Sequence, residues 1–550
     1  MATMFIRSFF LLLLLSLTAC IAEPEERVQA DPPPESPLPD ESTEEEETGL
    51  EQDEEESPGD ELTGPPDGYD VTLYGLHVTP DPVTTHATFS VQFTAPVEAE
   101  LSYLWHFAGV TIGTGQSVEW THRGLPGTYE LRVEAADQYG LTYTADTLLE
   151  ISSPHPWPAY QRDAQQTGHS PFLGTTTGEV RWHVELLSYS TPLVAEGDVV
   201  YLLGATGAWD TEYGDFVTDQ EGIGIVSPAG DFTWMEPVPA LFRGVMALSA
   251  DSVFYLAGLD GVLAFGMDGE KRWFWEAEPP AAGPVHLVVA PDGTVYAGPY
   301  GDDMVALHPD TGDVRWRFET VGYATWPVIA PDGTVLLASA TDPMSAGYRL
   351  DAIHPDGSER WQKIMGVGEM SYASLAQPVV NRNRVYAADI GEGHFEPDSP
   401  VISVFTLDGD DVFTIPTVGN LSFGVDGAHI LHVPGFIDVV AWDFSYQWGV
   451  YHGHLFQYQN PYGPLVSTAE GSVYFLSLDG DLLRVSEDPN PDPAEPEGGY
   501  VEWDLQLWEP GGSHWGGSRN LAIDSQGRLI VPPVDYPGSL SSEWGLFVVE

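Results

Sequence analysis

Cysteine is nearly absent from this chain: there is one in 550 residues, Cys20. That count excludes an intrachain disulfide, a cysteine-based zinc site and a CxxC redox pair. Lysine is almost as scarce, with only Lys271 and Lys363 present, and all basic residues number 19 against 84 acidic ones. The resulting formal charge of −65 repels phosphate backbones and argues against nucleic acid as a partner. Cations, basic proteins or a salty milieu fit that charge, and so does a plain solubility or halotolerance adaptation. A phosphate-binding Gly-rich loop with its Lys is missing, as is a Gly-x-Ser-x-Gly nucleophile elbow. The apolar run Phe9–Leu15 is too short to span a bilayer as a stable helix.

What is present is globular in composition, with 42% hydrophobic and 12% aromatic residues over a length that suits two or three domains. The 58 Gly and 46 Pro, with short β-branched runs, favour strands and turns over helices. At the N-terminus Arg7 precedes the apolar run, which ends in Leu17-Thr18-Ala19-Cys20. This resembles the bacterial lipobox, in which a diacylglyceryl group joins the thiol and the peptide is cut just before it. The resemblance implies a signal peptide at 1–19 and lipidation of Cys20, the alternative being an ordinary secretory signal. No Asp follows Cys20 in Ile21-Ala22-Glu23, and by lipoprotein sorting rules this implies the outer membrane, with the periplasmic face and the cell surface both open. Residues 20–69 then read as an acidic, Pro/Glu-rich disordered tether, and positions 21–70 carry a net charge of −19. The remaining 480 residues still carry −47.

From 70 to 152 short segments alternate apolar and polar residues, as in Ala87-Thr-Phe-Ser-Val-Gln-Phe93 and Tyr129-Glu-Leu-Arg-Val-Glu-Ala135. Several short strands in about 80 residues suit an immunoglobulin-like sandwich with Trp105 as its core aromatic. The stretches Tyr103-Leu-Trp-His-Phe107 and Leu125-Pro-Gly-Thr-Tyr through Asp137-Gln-Tyr-Gly140 resemble the PKD family of extracellular modules, although His106 stands where that family usually has an acid. Other Ig-like modules share these features, so the unit is expected to be PKD/Ig-like, acting as a spacer or adhesive surface.

Residues 155–550 carry a repeat. Ala290-Pro-Asp-Gly-Thr-Val295 returns 40 residues later as Ala330-Pro-Asp-Gly-Thr-Val335. A strand such as Val199-Val-Tyr-Leu-Leu203 or Thr294-Val-Tyr-Ala297 recurs eight times, and so does the one after it. A Gly-containing turn then leads to an aromatic: Trp234, Trp273, Trp316, Trp361, Phe413, Trp448 and Trp503. The eighth copy lacks its last strand, which Glu179-Val-Arg-Trp-His-Val184 supplies from the other end with Trp182. That is the closure expected of a ring, at about 46 residues per blade. The expected fold is therefore all-β: an eight-bladed β-propeller preceded by a small Ig/PKD-like β-sandwich. The aromatics read as plugs docking one blade against the next.

Asp310-Thr-Gly-Asp-Val-Arg-Trp316 and Tyr160-Gln-Arg-Asp-Ala-Gln-Gln-Thr-Gly-His-Ser-Pro171 resemble the PQQ-type, quinoprotein-like propeller family. Dehydrogenases of that fold bind pyrroloquinoline quinone with calcium, and many use an adjacent disulfide-bonded Cys pair. No Cys follows position 20 here, and no Glu/Asn/Asp calcium-and-base cluster maps by motif. His452-Gly-His454 places two imidazoles on one strand face, but a third ligand is missing, and aromatic neighbours suit an ordinary surface or blade interface. Asp408-Gly-Asp-Asp411 and Asp479-Gly-Asp481 have a calcium-loop flavour but sit where hairpins turn. The reading is a non-enzyme with no catalytic, cofactor-binding or metal residues. It is held to the membrane by its lipid, does not bind nucleic acid, and acts as a platform for a protein or polysaccharide ligand. The alternatives are an assembly factor of the barrel-assembly lipoprotein type and a quinoprotein dehydrogenase.

Overall fold

The computed structural model describes residues 65, 69, 71–80, 83, 85–94, 99–188, 190–210, 215–235, 244–281, 285–300, 303–321, 323–340, 348–365, 378–389, 401–415, 420–423, 429–433, 436–440, 446–451, 465–476, 481–487, 499–507, 520–532 and 545–550. The expected signal peptide, Cys20, nearly all of the tether, and His452 and His454 lie outside the described residues. Thr63–Glu550 forms one compact unit. Among the described residues regular structure is entirely β, and no helix is long and apolar enough to cross a membrane.

Seven strands come first: β1 (Thr72–Thr79), β2 (His86–Thr94), β3 (Leu101–Phe107), β4 (Val110–Thr114), β5 (Ser117–Thr121), β6 (Gly127–Asp137) and β7 (Thr142–Ile151). They form two antiparallel sheets, ordered β1-β2-β5 and β4-β3-β6-β7. Alternation puts Phe89 of β2 and Trp120 of β5 on one inner face and Phe107 of β3 and Tyr129 of β6 on the other. Ring centroids of Phe107 and Trp120 are 4.3 Å apart. Trp105 is fully buried and donates its indole N–H to Gly115 O at 2.8 Å. The Asp137–Gly140 turn is built by its acid: Asp137 Oδ1 accepts the N–H groups of Tyr139 and Leu141, both at 2.9 Å.

Among the described residues eight further sheets follow. The first runs from Leu193–Ala195 to Phe232–Trp234, the second from Gly244–Leu248 to Lys271–Glu276, and the third from His286–Val289 to Val314–Glu319. The fourth runs from Tyr323–Ala324 to Glu359–Met365, the fifth from Val379–Asn381 to Asp411–Ile415, the sixth from Asn420–Phe423 to Tyr446–Tyr451, and the seventh from Val466–Ser467 to Gly499–Gln506. The eighth joins Ala522–Ile523, Leu529–Val531 and Leu546–Val549 to β8 (Val180–Val184). The two ends of the array thus share a sheet, with Phe547 opposite His183 and Val548 opposite Trp182. In the first sheet the hairpin Val199–Asp210 with Asp215–Val226 is much longer than the sequence pattern suggests. Its extension is exposed and polar at Thr218-Asp219-Gln220, so the apolar alternation that marks the other copies is missing there.

The middle strands are continuously buried, as in Val253–Gly258 and Val335–Ala340, because both faces of each sheet are covered by neighbours. Six of the seven expected aromatics occupy one register position: Trp273 lies opposite Ala264, Trp316 opposite Ala306, Trp361 opposite Ala352, Phe413 opposite Val404, Trp448 opposite Val439 and Trp503 opposite Arg484, whereas Trp234 pairs with Gly224 in a ladder without the register shift. In each of these six pairs the ladder shifts register immediately after that pair. The bulge turns the strand, and three of the indoles dock on the next sheet through their N–H, while Trp503 Nε1 is buried without a partner. Trp273 Nε1 donates to Pro309 O at 2.7 Å, Trp316 Nε1 to Pro355 O at 2.9 Å and Trp361 Nε1 to Leu407 O at 2.7 Å. The same contact links the two ends of the array, where Trp182 Nε1 donates to Pro228 O at 3.3 Å in the first sheet. Gly312 shows why these turns need glycine: its φ is +74°, and a Cβ there would lie 2.6 Å from the Trp273 ring.

The duplicated turns hold arginines from their own sheets. Arg315 reaches Asp292 at 2.8 Å and also Thr294. Arg360 makes the same pair of contacts with Asp332 and Thr334, and its second nitrogen meets Asp408 of the next sheet at 2.6 Å.

Candidate functional site: the capped turn face

Among the described residues, the turns 249–253, 290–294, 330–334, 468–472 and 524–528, each joining the first and second strands of its sheet, are met by two other parts of the chain. One is the segment 155–175, which enters after β7. Its fold is set by Asp163, whose carboxylate accepts the Thr167 N–H at 2.9 Å and also the Thr167 hydroxyl. Burial pushes the Asp163 carboxyl up to about 6. Gln161, Arg162 and Gln166 have φ of 52°, 72° and 58°, a left-handed backbone that side chains disfavour and that surrounding contacts must hold.

Those contacts run from sheet to sheet. Trp157 exchanges backbone hydrogen bonds with Val194 of the first sheet, and Leu248 of the second donates to Pro158 O at 2.8 Å. Ile329 of the fourth donates to Ala164 O, Val380 of the fifth to Gln165 O, and Ser467 of the seventh to Gly168 O. Side chains add to this: Gln165 Nε2 donates to Ile329 O at 2.6 Å and Gln166 Nε2 to Pro327 O at 3.1 Å. Tyr160 stacks on Trp326 at 4.2 Å, and His286 lies 4.4 Å from the same indole. His169 Nδ1 lies 2.9 Å from Ser467 Oγ, but Ser467 is fully buried, so the pair fastens the segment and presents no nucleophile. Gln161 Oε1, Gln166 Oε1, Arg162 Nε and His286 Nδ1 are buried without a protein partner, a set of polar atoms that ordered water would satisfy.

The other part is the β5–β6 connection, residues 122–126. Arg123 is its centre: Nε meets Asp251 at 3.1 Å, while Nη1 and Nη2 hold the two Asp310 oxygens at 3.2 and 2.6 Å. This fork geometry is what arginine offers a carboxylate. The Asp310 bonds chiefly raise the guanidinium further above its ordinary range and hold the Asp310 carboxyl below its own. The backbone follows. Arg123 N–H donates to Pro291 O at 3.0 Å, Leu125 N–H to Val289 O at 3.2 Å, and Ala250 N–H to Gly124 O at 3.2 Å. A Cβ at Gly124 would collide with the Ala290 carbonyl. Glu130 N–H donates to Pro331 O at 2.8 Å. Both members of the near-duplicate pair of turns therefore serve as docking points for the leading two sheets. Phe107 and Trp120 join one hydrophobic core with Tyr296, Ile329 and Val335 across this junction, leaving a cavity of only about 10 Å³.

Asp408 and Asp411 are spent on Arg360 at 2.6 Å and Lys363 at 3.0 Å. Among the described residues no group of three or more His, Cys, Asp or Glu is placed to hold a metal. Arg123, Asp251 and His122 carry no motif, and the sequence signal for them was only an arginine in a Gly/Pro turn of a chain poor in basic residues.

No curated protein matches the chain. Among solved structures, BamB from Moraxella catarrhalis is 15% identical, with a TM-score of 0.42, covering 67% of this chain and 98% of its own. The computationally designed Ika8 protein is 11% identical, with a TM-score of 0.38, covering 69% and 99%. The Neurospora crassa Pan2 WD40 domain is 10% identical, with a TM-score of 0.33, covering 56% and 86%. At the level of sequence, the model of the repeat family described as outer membrane protein assembly factor BamB matches residues 175–325 and 259–412 of the chain.

Proposed function

We propose that this protein is a non-enzymatic scaffold of the bacterial cell envelope, of the barrel-assembly lipoprotein type, that binds a protein partner through an eight-bladed propeller. The observation that carries the reading is the family match over 175–412. In this account the eight sheets are blades of a closed ring, supported by β8 completing the last sheet and by Trp182 docking on the first. The leading two sheets are a PKD/Ig-like sandwich. Supporting this, the Tyr129 hydroxyl donates to Leu125 O at 2.9 Å, the corner contact such sandwiches use. Cys20 is the lipid anchor, residues 20–69 are the tether, and the location is the outer membrane.

The test is co-purification of the full chain from gently solubilised envelopes. Recovery with components of the barrel-assembly machinery is expected. Recovery without any of them counts against the assembly role and leaves a scaffold for another protein or a polysaccharide. Cys20→Ala is expected to release the protein from membranes, and an unchanged membrane fraction refutes anchoring there. Calorimetry with pyrroloquinoline quinone and calcium is expected to give no heat; saturable heat would favour the quinoprotein alternative.

A further inference from the structure

The junction between the leading sheets and the turn face contains a histidine in an unusual setting. His122 is fully buried, and neither ring nitrogen has a partner. The ring lies 5.4 Å from Trp120 and 6.1 Å from Tyr129, directly before the Arg123 hook. The backbone carbonyls of Gly124 and Leu125 and the Asp251 carboxylate face the ring, and each is also held by another donor, Gly124 O by the Ala250 N–H. From β6, Tyr129 gives its hydroxyl proton to Leu125 O. From the 249–253 turn, Asp251 accepts Arg123 Nε at 3.1 Å and Ser249 Oγ at 2.6 Å. From the third sheet, Asp310 is held by Arg123. From the 155–175 segment, His155 accepts the Glu196 N–H on Nδ1 at 3.1 Å and lies 3.4 Å from Ser252 Oγ through Nε2.

A neutral imidazole tolerates this dry aromatic pocket. An imidazolium is disfavoured there by burial, because the carbonyls of Leu125 and Gly124 and the Asp251 carboxylate, which all favour the charged ring, are already engaged by other donors and do not repay its desolvation. Protonation therefore weakens the docked arrangement, and the His122 backbone is continuous with the loop that makes the docking contacts. We propose that the leading two-sheet unit is a releasable cap on the turn face, docked while the His122 ring is neutral and freed when that ring is protonated. Release uncovers Asp251, Asp310 and the carbonyls of Val289, Pro291 and Pro331, a surface shaped to receive an arginine–glycine turn. Burial pushes the His122 ring down to about 4, which places release below neutral pH.

The test follows amide hydrogen exchange in the full chain. Arg123, Leu125, Glu130 and Ala250 N–H groups report docking, and Val295–Tyr300 amides report whether the sheets stay folded. At pH 7 both sets are expected to be protected. At about pH 4.5, after correction for intrinsic rates, the docking amides should lose at least about tenfold protection while the strand amides keep theirs. In His122→Phe, or His122→Leu if the larger ring does not fold, the docking amides should stay protected. Equal loss in those variants overturns the proposal, as does wild-type docking that persists until the sheets themselves unfold. His155→Gln, which retains an acceptor for Glu196, should release like the wild type, and abolished release there would move the trigger to the linker and overturn the assignment to His122.

Discussion

The Trp273 indole is 7% exposed, gives its N–H to the next sheet and fills the space above Gly312. Removing it deletes apolar burial and leaves the Pro309 carbonyl without its donor, so Trp273→Ala should lower stability by about 3–5 kcal/mol in chemical denaturation. The buried histidines make a second prediction. Burial pushes His122, His155, His169 and His286 each down to about 4, below the ordinary value near 6.5. They are neutral in the folded chain and take protons more readily once it unfolds. Their stabilisation is therefore complete above about pH 6.5 and falls away as pH drops toward 4. His122 and His155 contribute about 3 kcal/mol each at most. Melting temperature should decline through that window, and a profile flat between pH 7 and 4.5 would contradict it.

At the scale of elements, the junction between the first and eighth sheets has its own latch. Asp198 is 5% exposed and accepts Ser525 N–H at 2.8 Å, Ser525 Oγ at 2.9 Å and Gln526 Nε2 at 2.9 Å, with Arg528 at 3.6 Å. Asp198→Ala strands these donors and leaves Arg528 with only Asp524, so it should cost about 3 kcal/mol in urea unfolding. The sequence announced the aromatic register because spacing alone carries it: each Trp follows its turn at a near-constant offset. It also marked β8, since Trp182 belongs to no complete repeat at its own end. It did not announce the docked face. Arg123 lies 128 residues from Asp251 and 187 from Asp310, and no local pattern links residues that meet only in the folded chain. The segment 160–171 was visible as a motif, yet its role of joining the fourth, fifth and seventh sheets through backbone groups leaves no trace in side-chain chemistry.

For the whole molecule, charge and connectivity dominate. Residues 71–550 carry −47. Arg123, Arg315, Arg349, Arg360, Arg484 and Arg528 are committed to carboxylates within and between sheets. The excess negative charge therefore repels itself. Raising salt from about 0.05 M to about 1 M, where the screening length falls to about 3 Å, should raise the melting temperature. A fall would mean that exposed ion pairs outweigh the repulsion. The proposed platform, binding through the faces of a closed ring, requires that ring to stay shut, and in that account closure rests on β8. Because the only native cysteine is Cys20, a pair placed at positions 183 and 547, which face each other across the closing strands, can be read without interference in a Cys20→Ala chain. With His183→Cys and Phe547→Cys, mild oxidation should form the crosslink in nearly every molecule and raise the melting temperature. Failure to crosslink in a folded, monomeric sample would mean that β8 does not complete the eighth sheet, and the ring, with the platform built on it, would be wrong.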